Sequence, residues 1–349
     1  MEPMLSNDRL LKACRRQPVD RTPVWFMRQA GRYQPEYRAI KEKYSLFEIC
    51  EQSELCAQVT LLPVEQLGVD AAILFSDIMT PVRGMGVDVV LDPGPQLAHP
   101  IRSMADVEAL RPLEVEEDVP YVTETIRILV RELKVPLIGF AGAPFTLASY
   151  MVEGGPSKHY VVVKSMMYGA PEVWFALMEK LTAMTITYLQ AQIHAGCQVV
   201  QLFDSWVGNL TLADYQRYVQ PFSARVAEAV RAAGASLIHF GFGTGHLLPA
   251  MAAIGVDVQG VDWKEPLGQA WARLGYSVGV QGNLEPAALF APEDVLKEKV
   301  KAVLKEAGGR PGHIFNLGHG VLPTTPMDAL KRVVEIVHSV DPKEVAQLG

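Results

Sequence analysis

The chain has 349 residues, 49% of them hydrophobic, and its 32 basic against 39 acidic residues give a formal net charge of -7. This length allows one large domain or two medium ones with a sizeable core. The acidic balance argues against a nucleic-acid partner, and no apolar run is long enough to span a membrane. Residues 1–20 are polar and mixed, unlike a secretory signal peptide.

The cysteine pattern favours a cytoplasmic protein. Cys14, Cys50, Cys56 and Cys197 are scattered along the chain, and no CxxC pair occurs. We therefore expect free thiols in a reducing compartment, with Cys50 and Cys56 facing a helical core. The sequence also lacks the glycine-rich phosphate loops of the P-loop and dinucleotide-binding types.

Eight short runs rich in β-branched or aromatic residues are typical of buried strands. They occupy residues 23–27, 71–75, 136–140, 198–203, 236–240, 257–261, 277–280 and 313–317. The predicted helices begin near Glu36, cover residues 53–68, 118–133, 171–196, 212–233 and 326–340, and include a short one that carries Tyr150 and ends at residues 154–155. Strands that alternate with helices are parallel, and eight of them predict an α/β fold of the closed (β/α)8 barrel type.

We expect a single domain over residues 1–349, because no linker-like tract separates two halves of the chain. Residues 80–100 are rich in Gly and Pro and alternate at 87–91, so they predict a small hairpin inserted after the second strand rather than a helix. The alternative is an open doubly wound sheet. That fold normally carries a phosphate-binding loop after its first strand, and none occurs here.

The first predicted strand ends in Arg28-Gln29-Ala30-Gly31-Arg32, an unusual sequence after a buried run. In a (β/α)8 barrel the active site is built from the loops at the carboxyl ends of the strands. Guanidinium groups bind carboxylate or phosphate through paired hydrogen bonds and stay charged at physiological pH. Arg28 and Arg32 are therefore predicted to bind acidic groups of a ligand. Alternatively, both pair with surface carboxylates of the protein itself.

Four further polar residues follow or lie beyond later strands: Asp77, Tyr150, Ser205 and His319. Each has a structural alternative, because Asp and Ser are typical of turns and a tyrosine often lies in the core. For Asp77, the nearby Pro81 argues against a helix that starts immediately. His319 is harder to assign to packing, since its flanking glycines allow the backbone to approach a ligand.

The strand ends argue against several reaction classes. There is no lysine at a predicted strand end, so an imine or pyridoxal mechanism is unsupported. His239 and His246 lack the spacing of a zinc site, and no Gly-x-Ser-x-Gly nucleophile motif occurs. The remaining set is an arginine pair, a carboxylate, a tyrosine, a serine and a histidine. Such a set suits the binding of a polyanion and the stabilisation of a developing cation, without a bound cofactor.

Several of these segments resemble sequence blocks of the uroporphyrinogen decarboxylase family. Residues 23–33 are similar to its N-terminal signature, and residues 139–147 followed by 150–155 are similar to its second signature. Shorter similar blocks are Phe75-Ser76-Asp77-Ile78, Leu202-Phe203-Asp204-Ser205, Gln281-Gly282-Asn283-Leu284 and Asn316-Leu317-Gly318-His319-Gly320. The resemblance extends from about Arg9 to the last predicted helix.

This resemblance implies a (β/α)8 barrel that forms a homodimer with its active-site clefts facing one another. It implies removal of the four acetate carboxyl groups of uroporphyrinogen III as carbon dioxide, which gives coproporphyrinogen III in haem and tetrapyrrole biosynthesis. It implies no metal and no organic cofactor, because a pyrrole protonated at a ring carbon is itself the electron sink.

The resemblance also implies substrate-binding roles in the first signature. Arg28 and Arg32 match arginines that bind substrate carboxylates. Gln29, Ala30 and Gly31 line the same segment.

Outside the first signature, Asp77 matches the aspartate that lies beneath the macrocycle, binds its pyrrole N–H groups and stabilises the cationic intermediate. Tyr150, Ser205 and His319 match substrate-contacting positions, and Phe47 matches a further contact. The implied catalytic residues are Asp77, Arg28, Tyr150 and His319. The proton donor stays open between an arginine-bound assembly, Tyr150 and His319.

Three other functions are alternatives. A corrinoid-linked methyltransferase has a similar barrel, but such proteins carry His-x-Cys and a later Cys as zinc ligands, and here His239 is followed by Phe240 and Gly241. A porphyrin-binding or scaffold protein would keep the fold without the reaction, and the presence of Asp77 with both arginines argues against it. A sugar-phosphate enzyme would use the glycines of residues 241–245 to bind phosphate.

Overall fold

A computed structural model describes residues 5–91 and 94–347 of the chain. Its strands are β1 (Ala72–Ile73), β2 (Val89–Leu91), β3 (Pro95–Leu97), β4 (Leu137–Gly142), β5 (Val199–Phe203), β6 (Ser236–Phe240), β7 (Val258–Gly260), β8 (Gly279–Gln281) and β9 (His313–Ile314). Within the described residues, β1 and β4 to β9 form one parallel sheet of seven strands in the order β1-β4-β5-β6-β7-β8-β9. Helices connect its consecutive strands, as parallel pairing requires. The fold is therefore α/β, built on a curled parallel sheet.

The first predicted strand lies between the two edges of this sheet. Next to β9, Phe315 N donates to Pro23 O at 2.8 Å and Trp25 N donates to Phe315 O at 3.3 Å. Next to β1, Asp70 N donates to Val24 O at 2.8 Å. The same segment thus hydrogen-bonds to both edges.

This segment is not a regular strand, although the sequence predicts one over residues 23–27. Side chains accept three N–H groups that a ladder would otherwise use: Val24 N donates to Asp70 Oδ2, Phe26 N to Gln29 Oε1 and Met27 N to Asn316 Oδ1. Buried backbone groups need a partner, and here side chains supply it. The pairing with β9 is therefore reduced to a bridge between Val24 and Phe315.

Polar side chains cross the concave side of the sheet. Trp25 Nε1 donates to Gln281 Oε1 at 3.0 Å, and Gln281 Nε2 donates to Gln201 Oε1 at 2.9 Å. Gln281 belongs to β8 and Gln201 to β5, which are three positions apart in the sheet. A contact over that distance requires the sheet to curl strongly.

The helices cover the outer side of the sheet. In the described residues they are α1 (Arg9–Cys14), α2 (Pro35–Lys41), α3 (Leu46–Cys50), α4 (Ser53–Leu67), α5 (Thr80–Gly84), α6 (Met104–Ala109), α7 (Val115–Asp118), α8 (Pro120–Glu132), α9 (Pro144–Glu153), α10 (Val161–Gly169), α11 (Pro171–Ala195), α12 (Leu212–Tyr218), α13 (Gln220–Ala232), α14 (Leu248–Ala252), α15 (Leu267–Arg273), α16 (Glu293–Ala307) and α17 (Met327–Ser339). Short 3-10 helices cover Val207–Asn209, Pro286–Phe290 and Pro342–Gln347. None of the described helices is long and apolar enough to cross a membrane.

Most helix predictions are confirmed. α4, α8, α11 and α17 match their predicted ranges to within two residues at either end, and α9 carries Tyr150. Gly68 ends α4 and Gly154 ends α9, both in the left-handed conformation that glycine adopts without strain.

The single helix predicted over residues 212–233 is wrong in detail. It is divided into α12 and α13 at Val219, where φ is -130°. Pro221 lies directly after this break. Proline has no N–H to continue the ladder, and its ring clashes with the preceding turn, so a new helix starts there instead.

The prediction of a hairpin rather than a helix over residues 80–100 is wrong at its start, which is α5. β2 and β3 do pair antiparallel, with Val89 opposite Leu97. Residues 92 and 93 between them lie outside the described residues, so the complete hairpin stays a prediction.

Candidate active site

Arg28 directly follows the segment of residues 23–27 that lies between the two edges of the sheet. Its backbone has φ 61°, in the left-handed region that non-glycine residues seldom adopt. The side chain is exposed and lies against Gly320 in the loop after β9. The guanidinium therefore points over the carboxyl ends of the strands.

Neither Arg28 nor Arg32 is paired with a carboxylate in the part of the chain that the structure describes. The described ion pairs of arginine instead involve Arg9, Arg83, Arg111, Arg225, Arg273 and Arg332. The alternative that both arginines neutralise surface carboxylates of the protein is therefore not supported. An unpaired guanidinium keeps its hydrogen-bond donors for a ligand.

The charge of Arg28 acts on three other predicted site residues. Burial raises the pKa of Asp77 above its ordinary value, and Arg28 acts in the opposite direction. Burial, assisted by Arg28, lowers the pKa of His319. Burial also raises the pKa of Tyr150, against the effect of Trp206 and Arg28. The structure thus brings Arg28, Asp77, Tyr150 and His319 together, with the imidazole neutral and the phenol protonated at neutral pH.

Asp77 lies in the tight turn between β1 and α5. Its Oδ1 accepts a hydrogen bond from Met79 N at 2.9 Å, and its carbonyl accepts one from Thr80 N at 3.1 Å. The expectation that Pro81 prevents an immediate helix is wrong, because proline is tolerated in the first helical turn. Among the described residues, Oδ2 has no hydrogen-bond partner, so one carboxylate oxygen is free for a ligand.

His319 packs on aromatic rings at the ends of neighbouring strands. Its ring centroid lies 5.1 Å from that of Phe242 and 6.5 Å from that of Phe240. Phe240 contacts Phe203 at 6.4 Å, and Phe203 contacts Phe140 at 5.5 Å. We call Phe140, Phe203 and Phe240 the aromatic floor. Sequence reasoning missed it, although the available signal was an aromatic residue in three successive predicted strands.

Tyr150 and Ser205 come close through Trp206. The Tyr150 and Trp206 rings meet edge to face at 6.0 Å, and Ser205 directly precedes Trp206. Thr146, one turn before Tyr150 on α9, donates to Asp204 Oδ1 at 3.0 Å. This hydrogen bond joins α9 to the turn after β5, so the positions of the tyrosine and the serine depend on one another.

The side chain of Gln29 faces the protein rather than a ligand. It is fully buried, and its Nε2 donates to Ala71 O at 3.0 Å. Ala30 and Gly31 are half-buried, and Gly31 N donates to Gln34 Oε1 at 3.0 Å. Any ligand contact of this segment would therefore come from the backbone, from Ala30 or from the flanking arginines.

Arg32 and Phe47 lie near the neighbouring helices α2 and α3. Arg32 is exposed. Burial raises the pKa of Tyr37 on α2 to about 12, and the charge of Arg32 acts in the opposite direction. Phe47 lies on α3, half-buried, with the Arg83 guanidinium 4.2 Å from its ring centroid. The ligand contacts of both residues stay predictions.

The glycine-rich loop after β6 is not an open anion site. Gly243 N and Thr244 N donate to Asp262 Oδ2 at 2.8 and 3.3 Å. A buried carboxylate of the protein already occupies these donors. The sugar-phosphate alternative therefore loses its structural basis.

Comparisons with known sequences agree with the family resemblance of the sequence blocks at the predicted strand ends. A sequence model described as Uroporphyrinogen decarboxylase (URO-D) matches residues 5–340. A uroporphyrinogen decarboxylase from Thermus thermophilus is 57% identical over 338 residues, which cover 96% of this chain and 99% of the relative. Another from Geobacillus kaustophilus is 56% identical over 335 residues, which cover 95% and 97%.

Solved structures share the fold at much lower identity. A methyltransferase from Methanosarcina mazei has a TM-score of 0.76 at 22% identity, covering 97% of this chain and 99% of that one. A B12-independent methionine synthase from Shewanella has a TM-score of 0.58 at 11% identity, covering 85% and 91%. These structures are informative about the fold alone. The sequence matches, by contrast, are close and extend over nearly the whole chain, and on this basis the chain belongs to the uroporphyrinogen decarboxylase family.

Proposed function

We propose that this protein converts uroporphyrinogen III to coproporphyrinogen III in haem biosynthesis, removing four acetate carboxyl groups as carbon dioxide. The proposal is carried by the Arg28 guanidinium, which has no carboxylate partner among the described residues and acts on Asp77, Tyr150 and His319. A free guanidinium suits a substrate carboxylate, and the aromatic floor suits an apolar macrocycle. Family membership supports the same carboxy-lyase activity.

Asp77 is assigned to charge stabilisation. Protonation of a pyrrole at its ring carbon gives a cation conjugated to the acetate arm. When the bond to carbon dioxide breaks, its electron pair moves into that cation and leaves a neutral exocyclic methylene. A proton then adds to the methylene carbon to form the methyl group, and the proton on the ring carbon leaves to restore the pyrrole, so each decarboxylation consumes one net proton. The Asp77 carboxylate stabilises the cation through its free Oδ2, since Oδ1 is held by Met79 N.

The candidate proton donors are an acid held by Arg28, Tyr150 and His319. Tyr150 keeps its proton at neutral pH because burial raises its pKa. His319 is neutral there because burial and Arg28 lower its pKa, so it acts first as a proton acceptor. The two residues are therefore suited to opposite directions of proton transfer.

The substrate-binding residues we propose are Arg28, Gln29, Ala30, Gly31, Arg32, Phe47, Asp77, Tyr150, Ser205 and His319. We propose no metal or organic cofactor, because the protonated pyrrole itself accepts the electron pair.

We also infer one catalytic domain over residues 1–349, folded as a closed (β/α)8 barrel with an inserted hairpin after its second strand. Hydrogen bonds from the Val24 segment to Asp70 and Phe315 support an eighth strand position, and the pairing of β2 with β3 supports the hairpin. A cytoplasmic homodimer without nucleic-acid or membrane partners is the proposed assembly. Sedimentation of the purified protein tests the dimer.

Turnover of uroporphyrinogen III under anaerobic conditions, with chromatographic separation of the products by carboxyl number, tests the activity. Asp77→Asn keeps an acceptor for Met79 N but removes the charge, so we expect kcat to fall on the order of 100-fold with KM little changed. Asp88→Asn, at an exposed carboxylate before β2, is the matched control and leaves turnover unchanged. An inactive wild-type protein would contradict the proposed function, whereas a fully active Asp77→Asn variant would contradict the role of Asp77 alone.

A further inference from the structure

Loops from three strands converge beside His319. Gly318, in the loop after β9, has no room for a side chain because a Cβ there would overlap the backbone of Trp263, in the loop after β7. Phe242, in the loop after β6, lies 5.1 Å from His319 and 6.5 Å from Trp263 between ring centroids. Phe242 and Trp263 therefore form an aromatic wall next to the imidazole.

A cation lies over this aromatic wall. Lys264 Nζ is 4.5 Å from the centroid of Phe242 and 5.8 Å from that of Trp263. The side chain is exposed, and no ion pair of Lys264 occurs among residues 5–91 and 94–347. Contact with aromatic faces holds an ammonium group in place without neutralising its charge. The ammonium thus stays available to an anion.

Asp262 fixes the position of this lysine. Its side chain is buried, and its Oδ1 accepts a hydrogen bond from Lys264 N at 2.9 Å. Its Oδ2 accepts from Gly243 N at 2.8 Å, directly after Phe242. One carboxylate therefore joins the two loops that carry the cation and its aromatic wall, and its own charge is satisfied by backbone N–H groups.

We propose that Lys264 is a third carboxylate-binding residue of the site, at the rim next to His319, and that Asp262 is its positioning residue. The inference rests on the proposed function, because a tetrapyrrole that carries a carboxylate on every side arm presents more anionic groups than Arg28 and Arg32 can bind. No lysine lies directly at a predicted strand end, so an imine mechanism remains unsupported. Lys264, two residues beyond Asp262, instead supplies a point charge for binding.

The test compares Lys264→Met and Lys264→Arg with the wild-type protein, using uroporphyrinogen III and its partly decarboxylated intermediates as substrates. Methionine keeps an unbranched apolar stem over the aromatic wall but removes the charge. We expect Lys264→Met to raise KM on the order of 10-fold with kcat within about twofold of wild type, as for loss of one charge-assisted hydrogen bond. Lys264→Arg restores KM to within about threefold, since it keeps a cation that binds carboxylates.

Lys297→Met, at an exposed lysine of α16, is the control because it changes the net charge by the same amount. Its KM equals that of wild type if the effect of Lys264 is local. If Lys264→Met leaves KM unchanged while wild-type turnover is normal, the inference is wrong and the proposed function stands. If the wild-type protein does not turn over uroporphyrinogen III, the proposed function fails and the inference with it.

Asp262 is tested by the same readouts. Asp262→Asn keeps one acceptor oxygen but loses the second, so the two loops separate and we expect a higher KM with retained kcat. Combined with Lys264→Met, it adds less than its own single effect if Asp262 acts through the lysine. Fully additive effects on KM would show that Asp262 does not act through Lys264.

Discussion

The side chain of Arg28 lies against the backbone of Gly320. A Cβ atom at position 320 would be 2.6 Å from Arg28 Cδ and 2.9 Å from its Cγ. Non-bonded carbon atoms are normally separated by at least about 3.5 Å. Glycine is therefore the residue that leaves room for the arginine, and the loop after β9 decides where the guanidinium lies.

Gly320→Ala is expected to displace Arg28 without disturbing the fold. The φ of Gly320 lies outside the left-handed region, so alanine causes no backbone strain there. Misplacement of a substrate-binding group by about 1 Å can lower kcat/KM by up to roughly 100-fold. Steady-state kinetics with uroporphyrinogen III should show a loss of this kind while the melting temperature changes little.

The control for this variant is Gly169→Ala at the end of α10. Among the described residues, no atom outside its own helix and chain neighbours lies within 4 Å of a Cβ built at Gly169, and its φ is likewise unstrained. Its kinetics should match those of wild type. Unchanged kinetics of Gly320→Ala would contradict the proposed contact between Gly320 and a functional Arg28.

Replacement of Arg28 by alanine or glycine is expected to weaken binding in both cases but to change stability differently. The φ of 61° at this position costs a non-glycine residue roughly 1–2 kcal/mol. Both Arg28→Ala and Arg28→Gly should weaken productive binding and raise KM. Arg28→Gly, however, should unfold at higher urea concentration than Arg28→Ala, because glycine adopts this conformation freely.

Arg32→Ala provides the comparison for the first signature. Its replacement removes a guanidinium and should raise KM. Arg32 is not among the residues with positive φ, so glycine at position 32 should not be more stable than alanine there. Unchanged KM in both Arg28→Ala and Arg32→Ala would contradict carboxylate binding by this segment.

Asp77→Asn is expected to stabilise the protein at neutral pH although it impairs turnover. Burial raises the folded-state pKa of Asp77 above its ordinary value of 3.8, so the ionised carboxylate opposes folding once the pH exceeds the folded-state pKa. This penalty begins as the pH rises above about 3.8, grows until the pH exceeds the folded-state pKa, and is absent at lower pH, where the group is protonated in both states. Urea unfolding at pH 7 and at successively lower pH should show the advantage of the variant shrinking. A less stable variant at pH 7 would contradict this account.

His313 is expected to make the fold sensitive to mild acid. Its buried ring donates through Nε2 to Gly282 O at 2.9 Å, and burial lowers its pKa from 6.5 to about 4. The unfolded chain takes up the proton first, so stability should fall by up to roughly 3 kcal/mol between pH 6.5 and 4.

His313→Gln removes this titration and should flatten the dependence of the unfolding free energy on pH. His159→Gln, at an exposed histidine, should leave the dependence as in wild type. An equal slope in wild type and His313→Gln would assign the acid sensitivity to other groups.

Local sequence was sufficient for most helix ends, whereas the roles of the strand-end residues around Arg28 rest on the resemblance and stay predictions. Gly68 and Gly154 end their helices as predicted, because a left-handed residue after a helix is a preference of glycine itself. Local sequence did not distinguish Asp77 from an ordinary turn residue, and its role comes from the resemblance of residues 75–78 to a family block. The break before Pro221 was not predicted, since proline at the start of one helix and proline that interrupts another look alike in a short window.

The tertiary structure decided which side chains face the ligand. Gln29 belongs to the same signature as Arg28, yet its amide is turned inward to Ala71 O, a partner that is distant in the chain. The first predicted strand is irregular for the same reason, because Asp70 and Asn316 accept its N–H groups.

The sequence by itself determined the order of strands and helices and the set of polar residues near the strand ends, because these depend on the preferences of neighbouring residues. Only the tertiary structure placed Gly320 under Arg28 and Lys264 over Phe242. Those contacts join segments far apart in the chain and depend on how the curled sheet brings its loops together.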